Sequence, residues 1–289
     1  MTRTATQFDD AELNTWSDPE TFTVTRERIA AYAEATNDPV PAHRNGDIAP
    51  PVFAIVPAFD SLLVPVVDVV PAQFFGKVVH GEQDFHFHRP IVPGDVLSTR
   101  ARAIGYDTVA SGARLSIHLE TVDRVGEPVN DQYLIAFFRG IDAGDAVGQR
   151  VPEHRLDTAL RDQPPTASVP AHIDADQTYR YAPASGDPMP IHLDEQVARD
   201  AGLPGIIAHG LCTMAFTSWA VLTTVGDSDT RRLRRFAVRF AAMTFPNDDI
   251  TTRVWETGVE DDGARRYAFD AVRAETPVIT DGLAVIAPA

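Results

Sequence analysis

A single cysteine, Cys212, stands in this chain of 289 residues, which excludes an internal disulfide and a cysteine-based metal cluster. Positive charge is scarce as well: 25 Lys and Arg face 41 Asp and Glu, a formal net charge of −16. A surface of that sign repels nucleic acid and anionic membrane except at a local basic patch, so neither is expected as a partner. No cationic stretch leading into an apolar run marks a secretory signal, and the cytosol is the expected location. The most apolar stretch, residues 50–75, is broken by Asp60, Asp68 and several prolines before it reaches the ~20 residues of a membrane span. It reads as buried core. A phosphate-cradling glycine loop, a dinucleotide fingerprint and a Gly-x-Ser-x-Gly elbow are also missing.

What is present is an apolar fraction of 44%, enough for a sizeable core, and a phrase written twice. "YAEATNDPVPAH" at 32–43 returns as "YAPASGDPMPIH" at 181–192, with 7 of 12 positions identical. Chance would give roughly one. Pro128-Val129 and Pro277-Val278 keep the same offset, so the whole chain reads as one unit repeated.

Each unit opens with a short extended piece and a helix, such as Thr25 to Ala35, where Ile29, Tyr32 and Ala33 recur at helical spacing. The motif loop follows, then a long apolar segment, Val52 to Phe75 or Ile206 to Val225, expected as a buried central helix. Strand-like runs close each unit: 80–88, 96–105, 113–122 and 132–140, then "RFAVRF", "ITTRVWETG", "RRYAFDAVRA" and "GLAVIA". Helix first and antiparallel sheet after it predicts an α+β fold, with a sheet wrapped around each long helix. Residues 145–170, mixed in charge and rich in proline, read as linker between an N-terminal unit, 1–150, and a C-terminal unit, 165–289. The first 20 residues read as a peripheral arm.

Asp187 and His192 lie on a loop stiffened by Pro188 and Pro190. A carboxylate and an imidazole converging on one water make an acid/base pair, although an Asp there also serves as a helix cap. Gly210 opens the second apolar helix, where a backbone N–H backed by the helix dipole faces a developing oxyanion, or where a glycine simply permits close packing.

The stretch "YAPASGDPMPIHLDEQVARDAGLPGIIAHG" resembles the hydratase 2 motif of MaoC-like (R)-specific enoyl-CoA hydratases and dehydratases. The resemblance implies a double hot-dog fold over nearly the whole chain. It implies reversible hydration of trans-2-enoyl-CoA to (R)-3-hydroxyacyl-CoA, with Asp187 and His192 activating water and Gly210 donating its N–H to the thioester carbonyl. It also implies no metal and no cofactor besides the coenzyme A thioester substrate, a place in fatty acid metabolism, and a homodimer. The chain departs from the family pattern at Met189, where Asn is usual, which removes a polar support from the site.

The first copy keeps Asp38 and His43 but puts Ile55 and Val56 where His209 and Gly210 stand, and it loses the short helix between motif and apolar segment. Val56 would crowd a carbonyl. The N-terminal unit is therefore read as degenerate and acyl-accommodating. His86 and His88 share a strand face but lack a third ligand of suitable spacing, so no metal site is expected. Arg231, Arg232, Arg234, Arg235 and Arg239 form a basic island that could meet coenzyme A phosphates or simply be solvated. The rival activities are a 3-hydroxyacyl carrier-protein dehydratase, a hot-dog thioesterase, which would need a carboxylate on the buried helix, and a non-catalytic acyl-thioester-binding subunit.

Overall fold

The computed structural model describes residues 7–289. Eleven strands form one continuous sheet: β1 (Glu20–Thr23), β2 (Val78–Phe87), β3 (Val96–Val109), β4 (Gly112–Val122), β5 (Pro128–Arg139), β6 (Val147–Gly148), β7 (Ala167–His172), β8 (Leu233–Phe240), β9 (Asp249–Val259), β10 (Arg265–Arg273) and β11 (Thr276–Ile286). The order is β1-β3-β4-β5-β2-β8-β11-β10-β9-β7, with β6 paired to β3. Read outward from β2 and from β8, the two halves have the same topology, so the duplicated phrase reflects a duplicated fold. The expectation of two sheets is corrected at the seam, where β2 and β8 pair antiparallel with Phe85 opposite Phe236. Joining two edge strands satisfies backbone groups that two separate sheets would leave exposed.

The helices are α1 (Arg26–Ala35), α2 (Pro41–Arg44), α3 (Phe59–Val69), α4 (Gln177–Ser185), α5 (Glu195–Asp200) and α6 (Gly210–Val225). Thr25 caps α1 by accepting from the Arg28 N–H, and Asp194 caps α5 by accepting from Gln196 and Val197. Helix α6 is the expected central helix: every residue from Leu211 to Leu222 is buried. The first half departs from its expectation. In place of one helix over Val52 to Phe75, a buried 3₁₀ segment (Pro51–Ala58) precedes α3, and a second 3₁₀ turn (Ala72–Lys77) follows it. Pro57, in the 3₁₀ segment, carries no N–H for an i→i−4 bond and Pro71 closes the run, so one regular α-helix does not span the whole segment, although α3 continues through Pro65. Leu63, Val64 and Val67 of α3 face outward, and only the 3₁₀ piece is wholly core.

The strand readings hold to within a few residues, apart from β11, which begins at Thr276 rather than in "GLAVIA". The region read as linker already contains β6 and the whole edge strand β7 apart from its last two residues. The opening arm is packed rather than loose over its described part. Phe8 is buried against Tyr106 and Phe138, and the Asn14 N–H donates to the Ala103 carbonyl. Residues 1–6 of that arm lie outside the described residues.

Helices α1 and α4 tie the halves together. Tyr32 and Tyr181, the motif tyrosines, are fully buried and meet hydroxyl to hydroxyl at 3.3 Å. The Trp219 indole N–H of α6 donates to the Thr36 carbonyl at 3.1 Å. These contacts place the C-terminal end of α1 beside α6.

Candidate active site

The second motif loop begins where α4 ends. Gly186 takes a left-handed φ of 82°, a conformation that costs glycine nothing, and turns the chain so that Asp187 points inward. The Asp187 N–H donates to Ser185 Oγ, and Asp187 Oδ1 accepts from the Met189 N–H at 3.1 Å. Asp187 therefore braces its own loop and does not cap α5. Pro190–His192 form one 3₁₀ turn that carries His192 to 8% exposure.

His192 Nδ1 donates to the Ile207 carbonyl at 2.8 Å, which fixes the neutral tautomer and leaves Nε2 as a bare acceptor. Asp187, His192 and His209 each offer a ligand atom within 4.8 Å of the others. Burial raises the Asp187 carboxyl above its ordinary value and lowers the His192 imidazole below its own, each opposed by the other's charge. Both shifts favour neutral groups, which suits a pair that exchanges protons with a water.

His209 is the residue whose place sequence reasoning missed. It is the N-cap of α6 and only 2% exposed. Its ring stacks on His192 with centroids 3.8 Å apart and planes 26° apart, and Nε2 donates to the Asp187 carbonyl at 3.3 Å. Burial, reinforced by His192, pushes it down to about 3. The signal in the sequence was the His-Gly pair itself, of which only the glycine was weighed.

Gly210 is the first residue of α6, so its N–H has no intrahelical acceptor. A Cβ placed there would lie 3.3 Å from the Phe240 ring, closer than side chains usually pack. Phe240 in turn meets the half-buried His80 of β2 at 5.1 Å, so the first half borders the site. The structure thus brings Asp187, His192 and the Gly210 helix end into one place.

The first copy is closed. His43 Nδ1 lies 2.7 Å from Asp38 Oδ2 and its Nε2 lies 2.6 Å from Thr230 Oγ1, and Asp38 Oδ1 accepts from the Val40 N–H at 2.8 Å. Both side chains are buried and both imidazole nitrogens are engaged. Thr230, contributed by the second half, is a partner that no local reading of the first motif could supply.

His86 and His88 are occupied by different carboxylates, Asp84 and Asp131, the latter shared with His118. Each arginine of the basic island also faces an acid: Arg231 with Asp229, Arg232 with Asp227, Arg234 with Asp262, Arg235 with Asp84 at 2.7 Å and Arg239 with Asp281 at 3.8 Å. A coenzyme phosphate would compete with those carboxylates, least of all at Arg239.

Residues 158–276 match the MaoC-like domain, and residues 12–132 match the dehydratase domain region of FAS1-like proteins. The C-terminal half therefore carries a MaoC-like domain, and the architecture of the whole is the double hot dog. It is 27% identical over 230 residues to a probable enoyl-CoA hydratase 2 of Dictyostelium discoideum, covering 77% of this chain and 76% of that one. It is 28% identical over 211 residues to the peroxisomal multifunctional enzyme type 2 of Mus musculus, where it covers 72% of this chain but only 28% of the longer protein. A MaoC-like dehydratase from Phytophthora capsici superposes with a TM-score of 0.83 at 24% identity, over 97% of this chain and 99% of that one.

Proposed function

We propose that the protein reversibly hydrates trans-2-enoyl-CoA to (R)-3-hydroxyacyl-CoA. The MaoC-like domain supports the reaction class, and the names of the Dictyostelium and mouse relatives support the coenzyme A thioester. The observation that carries the reading to particular residues is the contrast between the two copies. One Asp-His pair is closed on itself, and the other holds an imidazole nitrogen and a carboxyl oxygen without a hydrogen-bond partner among the described residues.

In this mechanism the Gly210 N–H binds the thioester oxygen and stabilises the enolate as charge develops there. His192 Nε2 takes a proton from water while the water oxygen bonds to C3. Asp187, biased toward its protonated form by burial, delivers the proton to C2. The proton on His192 then returns to Asp187 through the next water, which restores both groups. Dehydration runs the same steps backward. No metal or redox cofactor takes part.

The same contrast supports the reading that 165–289 catalyses and 1–150 accommodates the acyl group. A cytosolic homodimer remains the expected setting. Loss of the conjugated enoyl-thioester absorbance on adding the protein to crotonyl-CoA and to a longer enoyl-CoA tests the reading. Turnover of enoyl-CoA, abolished by His192→Ala in a folded protein, is the expected result. Failure with every chain length would leave an acyl-thioester-binding subunit instead.

A further inference from the structure

Each half of the molecule serves as a control for the other. In the first copy no imidazole stands at the start of the apolar segment, since Ile55 occupies the place of His209. There the aspartate and histidine are in direct contact at 2.7 Å. In the second copy His209 lies against the motif, and His192 bonds to the Ile207 carbonyl instead of to Asp187. We propose that His209 is the positioning residue that keeps the second pair open, so that a water can stand between Asp187 and His192.

The geometry gives His209 contact with all three parts of the site. Its ring lies against one face of His192, with centroids 3.8 Å apart, and so limits how that imidazole can turn. Its Nε2 donates to the Asp187 carbonyl, fixing the loop that carries the carboxyl. Its backbone is the N-cap of α6, with its carbonyl accepting from the Thr213 N–H at 3.1 Å, so the same residue orients the Gly210 N–H. The ring also meets Tyr181, tilted with centroids 4.9 Å apart, and Tyr181 is anchored on Tyr32 of the first half. The ionisable groups facing His209 are Asp187 on the loop, His192 on the 3₁₀ turn and Tyr181 on α4. His209 Nδ1 is buried and has no hydrogen-bond partner among the described residues, so a donor on this ring edge is not what retains the imidazole. The flat ring and the single Nε2 donor are.

The inference rests on the hydratase reading, and two variants test it. His209→Ile restores the first-copy residue and removes both ring and donor; His209→Phe keeps a stacking ring and removes only the donor. With Ile, His192 is free to close onto Asp187. We expect kcat to fall about 100-fold with KM nearly unchanged, because a displaced catalytic group costs about that much. The acid limb of kcat/KM should move to higher pH, because a directly bonded carboxylate raises an imidazole that burial had lowered. With Phe, the loss should be several-fold and the limb should stay in place.

NMR titration of the His192 ring in the resting protein supplies a readout that needs no turnover: its pKa should rise in the Ile variant and not in the Phe variant. A wild-type protein inactive on every enoyl-CoA would refute the hydratase reading, while this titration would still decide the role of His209. An Ile variant with an unmoved His192 titration and an unmoved pH limb overturns the proposal, whatever its stability. If His209→Ile fails to fold, the Phe variant decides: a shift of its limb or of its His192 titration as large as that expected for Ile overturns the role of the ring.

Discussion

Replacing Asp38 and Asp187 by Asn, one at a time, should separate stability from chemistry in two residues that occupy the same motif position. Asp38 is 2% exposed and engages the Val40 N–H at 2.8 Å and His43 Nδ1 at 2.7 Å. An asparagine keeps the first bond through its amide oxygen but turns an NH₂ toward the imidazole or leaves it unpaired. Losing a buried bond of this kind costs about 2 kcal/mol. In a chain of this size that corresponds to a fall in Tm of about 4–8 °C. Asp187 accepts only from the Met189 N–H at 3.1 Å, a bond that an asparagine oxygen can also make, so its stability cost should stay within about 0.5 kcal/mol. The rates should run the other way. Asp187→Asn removes the proton that C2 receives and should lower kcat by about 10² to 10⁴. Asp38→Asn should leave turnover of crotonyl-CoA within about twofold of wild type at temperatures below its melting range. Thermal unfolding by circular dichroism and enoyl-thioester absorbance on the same preparations provide the two readouts. If Asp38→Asn abolishes turnover without lowering Tm, or Asp187→Asn retains it, the assignment of the working copy is wrong.

Three further expectations follow from the same geometry. Because burial lowers His192 and the neutral imidazole is the active base, kcat/KM should persist below the ordinary imidazole range near pH 6.5 and fall only as pH drops through the lowered value; a limb above pH 7 contradicts this. His209, at about 3, and His80, at about 4, bind fewer protons folded than unfolded between those values and about 6.5. Stability should therefore be full above that window and decline on acidification within it, by up to about 1.4 kcal/mol per pH unit for each proton taken up on unfolding, which urea midpoints at pH 7, 6 and 5 would show. Gly210→Val, copying Val56, should fold yet lose about 100-fold in rate, as its branched side chain meets Phe240 and the carbonyl site; wild-type turnover in that variant would remove Gly210 from the mechanism.

Much of the fold was legible because it depends on local chemistry. Alternating β-branched and aromatic runs located most of the strands, and the repeated phrase revealed the duplication. The long first-half segment misled because composition shows how apolar a run is, while the prolines at 57 and 71 mark where it leaves the α-helix. The pairing of β2 with β8 joins residues 151 apart, such as Asp84 and Arg235, and no sequence period records it.

The sequence by itself determined the repeat and the resemblance to MaoC-like hydratases, and it singled out Asp187, His192 and Gly210 as candidates, because a motif of that length fixes residue types at fixed spacings. Only the tertiary structure decided which copy is open. That choice turns on Thr230, which reaches His43 from the other half, and on the Ile207 carbonyl and the His209 ring, which hold His192 away from Asp187. Met189 shows the same division. Its identity announced a missing polar support, and the structure places that side chain toward solvent while its backbone N–H still braces Asp187. A hydrogen-bond partner contributed by a distant strand or helix end is set by packing, and the two copies of the motif differ in partners more than in letters.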